Sequence, residues 1–200
     1  MVMDLESGRV REISKKSRYF SPSLSGDGSR IAVSESTPEN SNGIVILNTK
    51  DGSVVARFEI GDNIMPLVPV WMEDNQSLLF ISHSEKGEGI MSLNTIDGST
   101  TRLVPQGRDD LESLAVTGDT ILFTSSRSGI DNVYAIVPGG EIRMVTSSRF
   151  GVADISASGN ELLFSDYSAD GNSIGRIEVT GTGITTITSC RKGRNPTLSG

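Results

Sequence analysis

Five short segments of this 200-residue chain can be laid over one another without a gap, and no other feature narrows the fold so far. They are SLSGDGSRIAV from Ser23, VWMEDNQSLLF from Val70, SLAVTGDTILF from Ser113, DISASGNELLF from Asp154 and the terminal TLSG from Thr197. Their anchor residues Leu24, Trp71, Leu114, Ile155 and Leu198 stand 47, 43, 41 and 43 positions apart. A period of about 40 to 50 residues fits one four-stranded propeller blade, and it fits some helical repeats as well. The content of the unit decides between them.

Seven residues after each anchor comes a short apolar run: IAVS at Ile31, LLFIS at Leu78, ILFTS at Ile121 and LLFSD at Leu162. Such runs, closed by Ser, Gly, Asn or Asp, read as buried strands. Further on come IVILN, IMSLN, NVYAI and IGRIEV, then the turns TKDGS, TIDGS, PGGE and TGTG, then VVARF, TTRL, EIRMV and ITTIT. Glycine in these turns supplies the positive φ that hairpins need. Helical repeats are excluded, because glycine or proline interrupts every window that could hold a helical apolar spacing. The expected class is all-β, a β-propeller of four-stranded antiparallel blades.

The repeat assigns residues 1–14 to the outer hairpin of a preceding blade. It assigns 19–58, 68–103, 112–146 and 152–188 to four whole blades, and 195–200 to the first strand of a further one. On this reading the chain is an incomplete arc whose remaining blades belong to a longer parent. Its uncovered apolar end faces and free strand edges then favour self-association. Within the arc, Ile31 with Val33, Leu78 with Phe80, Ile121 with Phe123, and Leu162 with Phe164 are expected to share one buried face each, since alternate strand residues point the same way.

Composition removes whole classes of function. The apolar share of 36% suffices for a sizeable core, while a net charge of −7 and a pI near 4.8 offer nothing to phosphate backbones or anionic lipid. Nucleic acid is not an expected partner. One cysteine, Cys190, rules out an internal disulfide and a cysteine-based metal cluster. No apolar run reaches the length of about 18 residues that a membrane helix needs, and the opening MVMDLESGRVREIS lacks the basic start and apolar core of a signal peptide.

The segment ILFTSSRSGIDNVYAIVPGGEIRMVT, Ile121 to Thr146, resembles the repeats of TolB-type propellers, in which an apolar strand ends in a serine-rich arginine-glycine turn before a strand with a tyrosine. SPSLSGDGSRIAVS, Ser21 to Ser34, is similar to the strand opening of that family, with Gly26 where proline is usual. MEDNQS and SASGNE are degenerate versions of the same opening, and the dipeptides of WD-type repeats are absent. The resemblance implies one of two settings. TolB-like propellers serve as docking scaffolds in bacterial cell envelopes, and similar blades cap the catalytic domain of prolyl-oligopeptidase-type peptidases. It therefore implies a periplasmic or envelope location and a protein or peptide partner, while no cofactor is called for.

The residues carry little chemistry of their own. GNSIG, Gly171 to Gly175, matches G-x-S-x-G around Ser173, but strand and hairpin follow where a helix is required, and the single histidine, His83, comes earlier rather than later. Asp166, Ser168 and Asp170 have the spacing of the first half of a calcium loop, yet Ile177 stands where the bidentate glutamate belongs and Glu178 comes one residue late. No catalytic constellation and no metal site are expected. Asp109, Asp110 and Glu112 are the closest acidic group, and Asn75 heads an NQS sequon. Arginine and aromatic residues in turns and blade connections make the candidate partner surface: Arg18, Tyr19, Phe20, Arg108, Arg127, Arg149 and Phe150. The expected function is a non-catalytic propeller scaffold, with the substrate-gating domain of a serine peptidase as the alternative.

Overall fold

The computed structural model describes residues 1–15, 17–37, 41–61, 63–180 and 183–184. The expected strand at 195–200, the end of the fourth blade and Cys190 lie outside the described residues. The chain forms two compact units, Met1–Arg108 and Asp109–Gly200. Their described residues contain strands and turns and no helix.

In the first unit a two-stranded hairpin, β1 (Val2–Met3) and β2 (Val10–Arg11), precedes two four-stranded antiparallel sheets. Blade 1 is β3 (Tyr19–Leu24), β4 (Arg30–Ser36), β5 (Asn42–Asn48) and β6 (Val54–Glu59). Blade 2 is β7 (Met65–Trp71), β8 (Ser77–Ser84), β9 (Gly87–Asn94) and β10 (Thr100–Gly107). The second unit holds blade 3, with β11 (Leu111–Thr117), β12 (Thr120–Ser125), β13 (Asn132–Ile136) and β14 (Arg143–Met144). Blade 4 follows as β15 (Val152–Ser158), β16 (Glu161–Ser168), β17 (Gly171–Thr180) and β18 (Gly183–Ile184). In each blade the strands stand in chain order, so every connection is a hairpin between neighbours.

Alternation along the second strands builds the seams. Leu78 and Phe80 of β8 meet Ala32, Ile44 and Ile46 of blade 1, with Trp71, Ile60 and Ile64 closing the layer. Leu162 and Phe164 of β16 meet Leu122, Val133 and Ala135 of blade 3 in the same manner. On the other face of blade 1, Ile31, Val33, Val45 and Leu47 pack under Val2, Ile13 and Tyr19. All eight second-strand residues that the alternation marks as core are buried. Fully burying a side chain of this kind is worth about 1.5 to 3 kcal/mol, so these seams dominate the stability of each unit.

Two features depart from the sequence pattern. Leu24 faces Ile31 and Trp71 faces Leu78, but in the second unit Val116 faces Ile121 and Ala157 faces Leu162. The turns at Gly118 and Gly159 are tighter, and the pairing slips by two residues relative to the gapless alignment. A slip of two leaves each side chain on its original face, which is why the alternation still marks the core. Each first strand also carries a bulge, between Phe20 and Ser23, Leu67 and Val70, Leu111 and Leu114, and Ala153 and Ser156. Ser21, Val68 and Asp154 sit there at φ of 49°, 48° and 52°. Pro66 and Pro69 fall within β7, although the sequence pattern reads them as connection. β7 is an edge strand, and an edge strand or a bulge is where a sheet accepts proline.

Gly26, the departure from the family opening, has a local cause. Its N–H donates to Asn75 Oδ1 at 2.8 Å, a bond that proline cannot make. Arg30 lies over the Trp71 ring at 4.7 Å and also reaches the Asn75 carbonyl, while Trp71 Nε1 donates to the Ser23 carbonyl at 3.1 Å. Blades 1 and 2 are thus tied together at the turn end. The sequon asparagine Asn75 is engaged in this joint.

The turn aspartates stabilise their loops while ionised. Asp27 accepts from the Ser25 hydroxyl at 2.6 Å and from the Ser29 amide at 3.0 Å, and these bonds lower its pKa from 3.8 to about 2. The Ser53 and Ser99 hydroxyls and amides lower Asp51 and Asp97 in the same direction. A depressed carboxylate contributes stability above its unfolded pKa and loses it as pH falls through the folded one. The melting-temperature difference between the native chain and an Asp27→Asn variant should therefore be constant above about pH 5 and shrink toward pH 2. A difference that does not change across that window would show that ionised Asp27 makes no contribution.

Candidate partner-binding surface

In an antiparallel blade taken in chain order, the turn between the second and third strands and the connection to the next blade emerge at the same end. Blade 4 and its approach therefore gather residues 126–131, 145–151 and 169–170 at one end of the second unit. The connection 145–151 is fixed by a chain of polar side chains. Buried Thr146 donates from Oγ1 to Asn132 Oδ1 at 2.9 Å, and the Ser148 amide donates to the same oxygen at 2.8 Å. The Ser148 hydroxyl donates to Asp166 Oδ1 at 2.7 Å and accepts from the Gly151 amide at 3.1 Å. Backbone bonds from Val152 to the Asp131 carbonyl, 2.9 Å, and from Tyr167 to the Gly151 carbonyl, 3.0 Å, lock the loop on both sides.

That loop holds Phe150 outward. Phe150 and Tyr167 meet edge to face with centroids 6.5 Å apart, yet they are 55% and 56% exposed. Arg149, also exposed, precedes Phe150 on the loop. Leu163 and Ile174, both exposed, lie on the same outer face of blade 4 as Tyr167. An aromatic pair held between a hydrogen-bonded loop and a strand presents apolar surface with little conformational freedom left to lose, and a neighbouring guanidinium can take a carboxylate or a carbonyl. The arrangement suits recognition of a polypeptide.

The other sequence candidates are distributed differently. Tyr19 and Phe20 belong to β3, where Tyr19 packs on the core cluster below the first hairpin; Arg18 before them is exposed, as is Arg108 after β10. Arg127 folds back on its own blade, 5.3 Å over Phe123 and 5.0 Å over Tyr134, with Asp109 3.8 Å away. Ser173 sits within β17, opposite Asp166, and its hydroxyl donates to the Asp166 carbonyl at 3.4 Å. It is not on a strand-to-helix elbow. His83 Nδ1 lies 2.9 Å from Glu88 Oε1 across the β8–β9 hairpin, a partner that the sequence pattern did not bring forward.

Of the calcium-spaced residues, Asp166 is tied to Ser148, and Ser168 closes the hairpin turn by donating to the Gly171 carbonyl at 2.9 Å. Among the described residues no group of three or more His, Cys, Asp or Glu side chains is placed to hold a metal ion. Asn132, Thr146 and Ser148, which organise the loop, were missed by sequence reasoning. The one local signal for them is a serine followed three residues later by glycine at a blade connection, Ser148 to Gly151.

Chain-ordered four-stranded meanders, seamed in pairs through their faces, define the class as a β-propeller domain. The chain belongs to the TolB beta propeller domain family, whose model matches residues 1–200. A TolB-designated protein from Agrobacterium tumefaciens is similar in structure at a TM-score of 0.64 and 22% identity, over 81% of this chain and 62% of that one. TolB from Acinetobacter baumannii matches at 0.67 and 20% identity, over 88% and 45%. A puromycin-hydrolyzing peptidase from Mycobacterium tuberculosis matches at 0.67 and 19% identity, over 93% and 31%. These likenesses establish the fold. The chain spans less than two thirds of the length of each of these structures. Comparison with curated proteins finds no match.

Proposed function

We propose that this chain is a non-catalytic propeller scaffold, the interaction module of a larger protein associated with the bacterial cell envelope, and that it docks a protein or peptide partner at the loop end of blade 4. The observation that carries the reading is the exposed Phe150–Tyr167 pair, with Phe150 next to Arg149 on the hydrogen-bonded loop and Tyr167 on β16. In this reading Tyr167 joins the partner surface, Arg18 and Arg108 offer further exposed guanidinium groups, Phe20 is a half-buried residue of β3, and Tyr19 and Arg127 pack on their own blades. The family resemblance to TolB supports a periplasmic location. No helix among the described residues is long and apolar enough to cross a membrane.

The test separates a docking surface from a seam covered by another blade of the same polypeptide. Phe150→Cys in a Cys190→Ser background, carried by the full-length parent protein, is expected to react with a maleimide and to become protected when the partner is bound. Protection in the parent alone would identify the patch as a blade seam and end the docking reading. Phe150→Ala should change stability by less than about 1 kcal/mol, as exposed substitutions do, while weakening partner cross-linking.

The match to the puromycin-hydrolyzing peptidase over 93% of this chain supports a second reading, a substrate-gating propeller attached to a serine peptidase domain. Labelling of the full-length parent by a fluorophosphonate probe would favour it. Lack of labelling favours the scaffold.

A further inference from the structure

We propose that the seam between blades 1 and 2 binds ordered water near its loop end, held by Ser34, Ser82 and Asn42. The side-chain oxygens of all three are buried and have no hydrogen-bond partner, and Ser34 and Ser82 are 0% exposed. Strand alternation brings them to one layer. Ser34 lies two residues beyond Ala32 on β4, and Asn42 lies two before Ile44 on β5. Ser82 lies two beyond Phe80 on β8. Ala32, Ile44 and Phe80 all belong to the apolar cluster between the two blades, so the three polar groups continue that layer toward the loops.

Blade 2 adds polar backbone at the same height. Opposite Ser82 stands Gly89, and a Cβ there would come within 2.6 Å of the Val104 carbonyl oxygen, so β10 folds its backbone over a position without a side chain. Three unpaired oxygens in an otherwise apolar seam would each carry the penalty of desolvation without a bond. The groups are neutral, two hydroxyls that donate and accept and one amide oxygen that accepts, which is the donor and acceptor set that water completes with two to four partners. A divalent cation is disfavoured, because none of the three oxygens carries a charge.

The sign of a mutational effect tests the site. With water bound, Ser34→Ala and Ser82→Ala each remove one of its partners, and each should lower the melting temperature by about 2 to 4 °C, with the double variant falling by less than the sum. In a dry seam the same substitutions delete an unsatisfied buried hydroxyl; a melting temperature that rises or stays unchanged overturns the proposal. Should the variants not fold, water-selective cross-relaxation to the Ser34 and Ser82 amides of the native chain decides the matter. A water signal at both amides upholds the site and its absence overturns it.

Discussion

Phe123→Ala is expected to lower the stability of the chain by about 3 to 5 kcal/mol, the range for removing a large aromatic side chain from a well-packed core. Phe123 is fully buried on β12, stacked on Tyr134 with centroids 5.8 Å apart and covered by the Arg127 guanidinium at 5.3 Å. Truncation opens a cavity, deletes the stacking partner of Tyr134 and takes away part of the surface on which Arg127 rests. Leu163→Ala is the matched control, because Leu163 lies one residue before Phe164 on the exposed outer face of blade 4 and should cost under about 1 kcal/mol. Urea denaturation of both variants measures the contrast. Equal midpoints would mean that the β12 face is not the core it is taken to be.

Gly52→Ala carries the second large effect, and it acts on one joint. Gly52 lies in the β5–β6 turn at φ +73°, and an added Cβ would overlap the backbone carbonyl of Ile13. The left-handed conformation alone costs a non-glycine residue about 1 to 2 kcal/mol, and a clash with backbone cannot be relieved by a rotamer change. Arg11 meanwhile donates to the Thr49 carbonyl at 3.0 Å and to the Lys50 carbonyl, so the first hairpin grips the same turn. The variant should release residues 1–14 from blade 1 and expose Val33 and Val45 beneath them. Limited proteolysis followed by mass spectrometry is expected to show early cleavage before Tyr19 with the rest of the unit intact. A native cleavage pattern would show that the hairpin does not depend on this contact.

Much of the architecture was legible in the residues because burial writes its own period into a strand. Ile31, Leu78, Ile121 and Leu162 recur at one offset from their anchors, and each recurrence marks a buried strand position. Turn glycines such as Gly52 and Gly98 mark the hairpins for an equally local reason, the positive φ of their positions. Repeats depend on contacts between adjacent units, so their pattern survives even where motifs decay, as in MEDNQS and SASGNE.

Contacts between distant residues had no such signature. Asn132, Thr146, Ser148 and Asp166 look like ordinary turn residues one at a time, and only the folding of blade 4 against blade 3 joins them beneath Phe150. The sequence could place Phe150 in a connection, but Tyr167 becomes its neighbour through the register of β15 on β16. Nor could it show that Gly26 stands in place of proline because its N–H is claimed by Asn75 of the next blade. By itself, then, the sequence determined the strands, their buried faces and the repeat that makes them blades, since those follow from local alternation and turn chemistry. The tertiary structure alone decided the two-residue slip in pairing, the bulges and the assembly of the candidate surface, because hydrogen bonds between chain-distant groups depend on geometry that no single segment encodes.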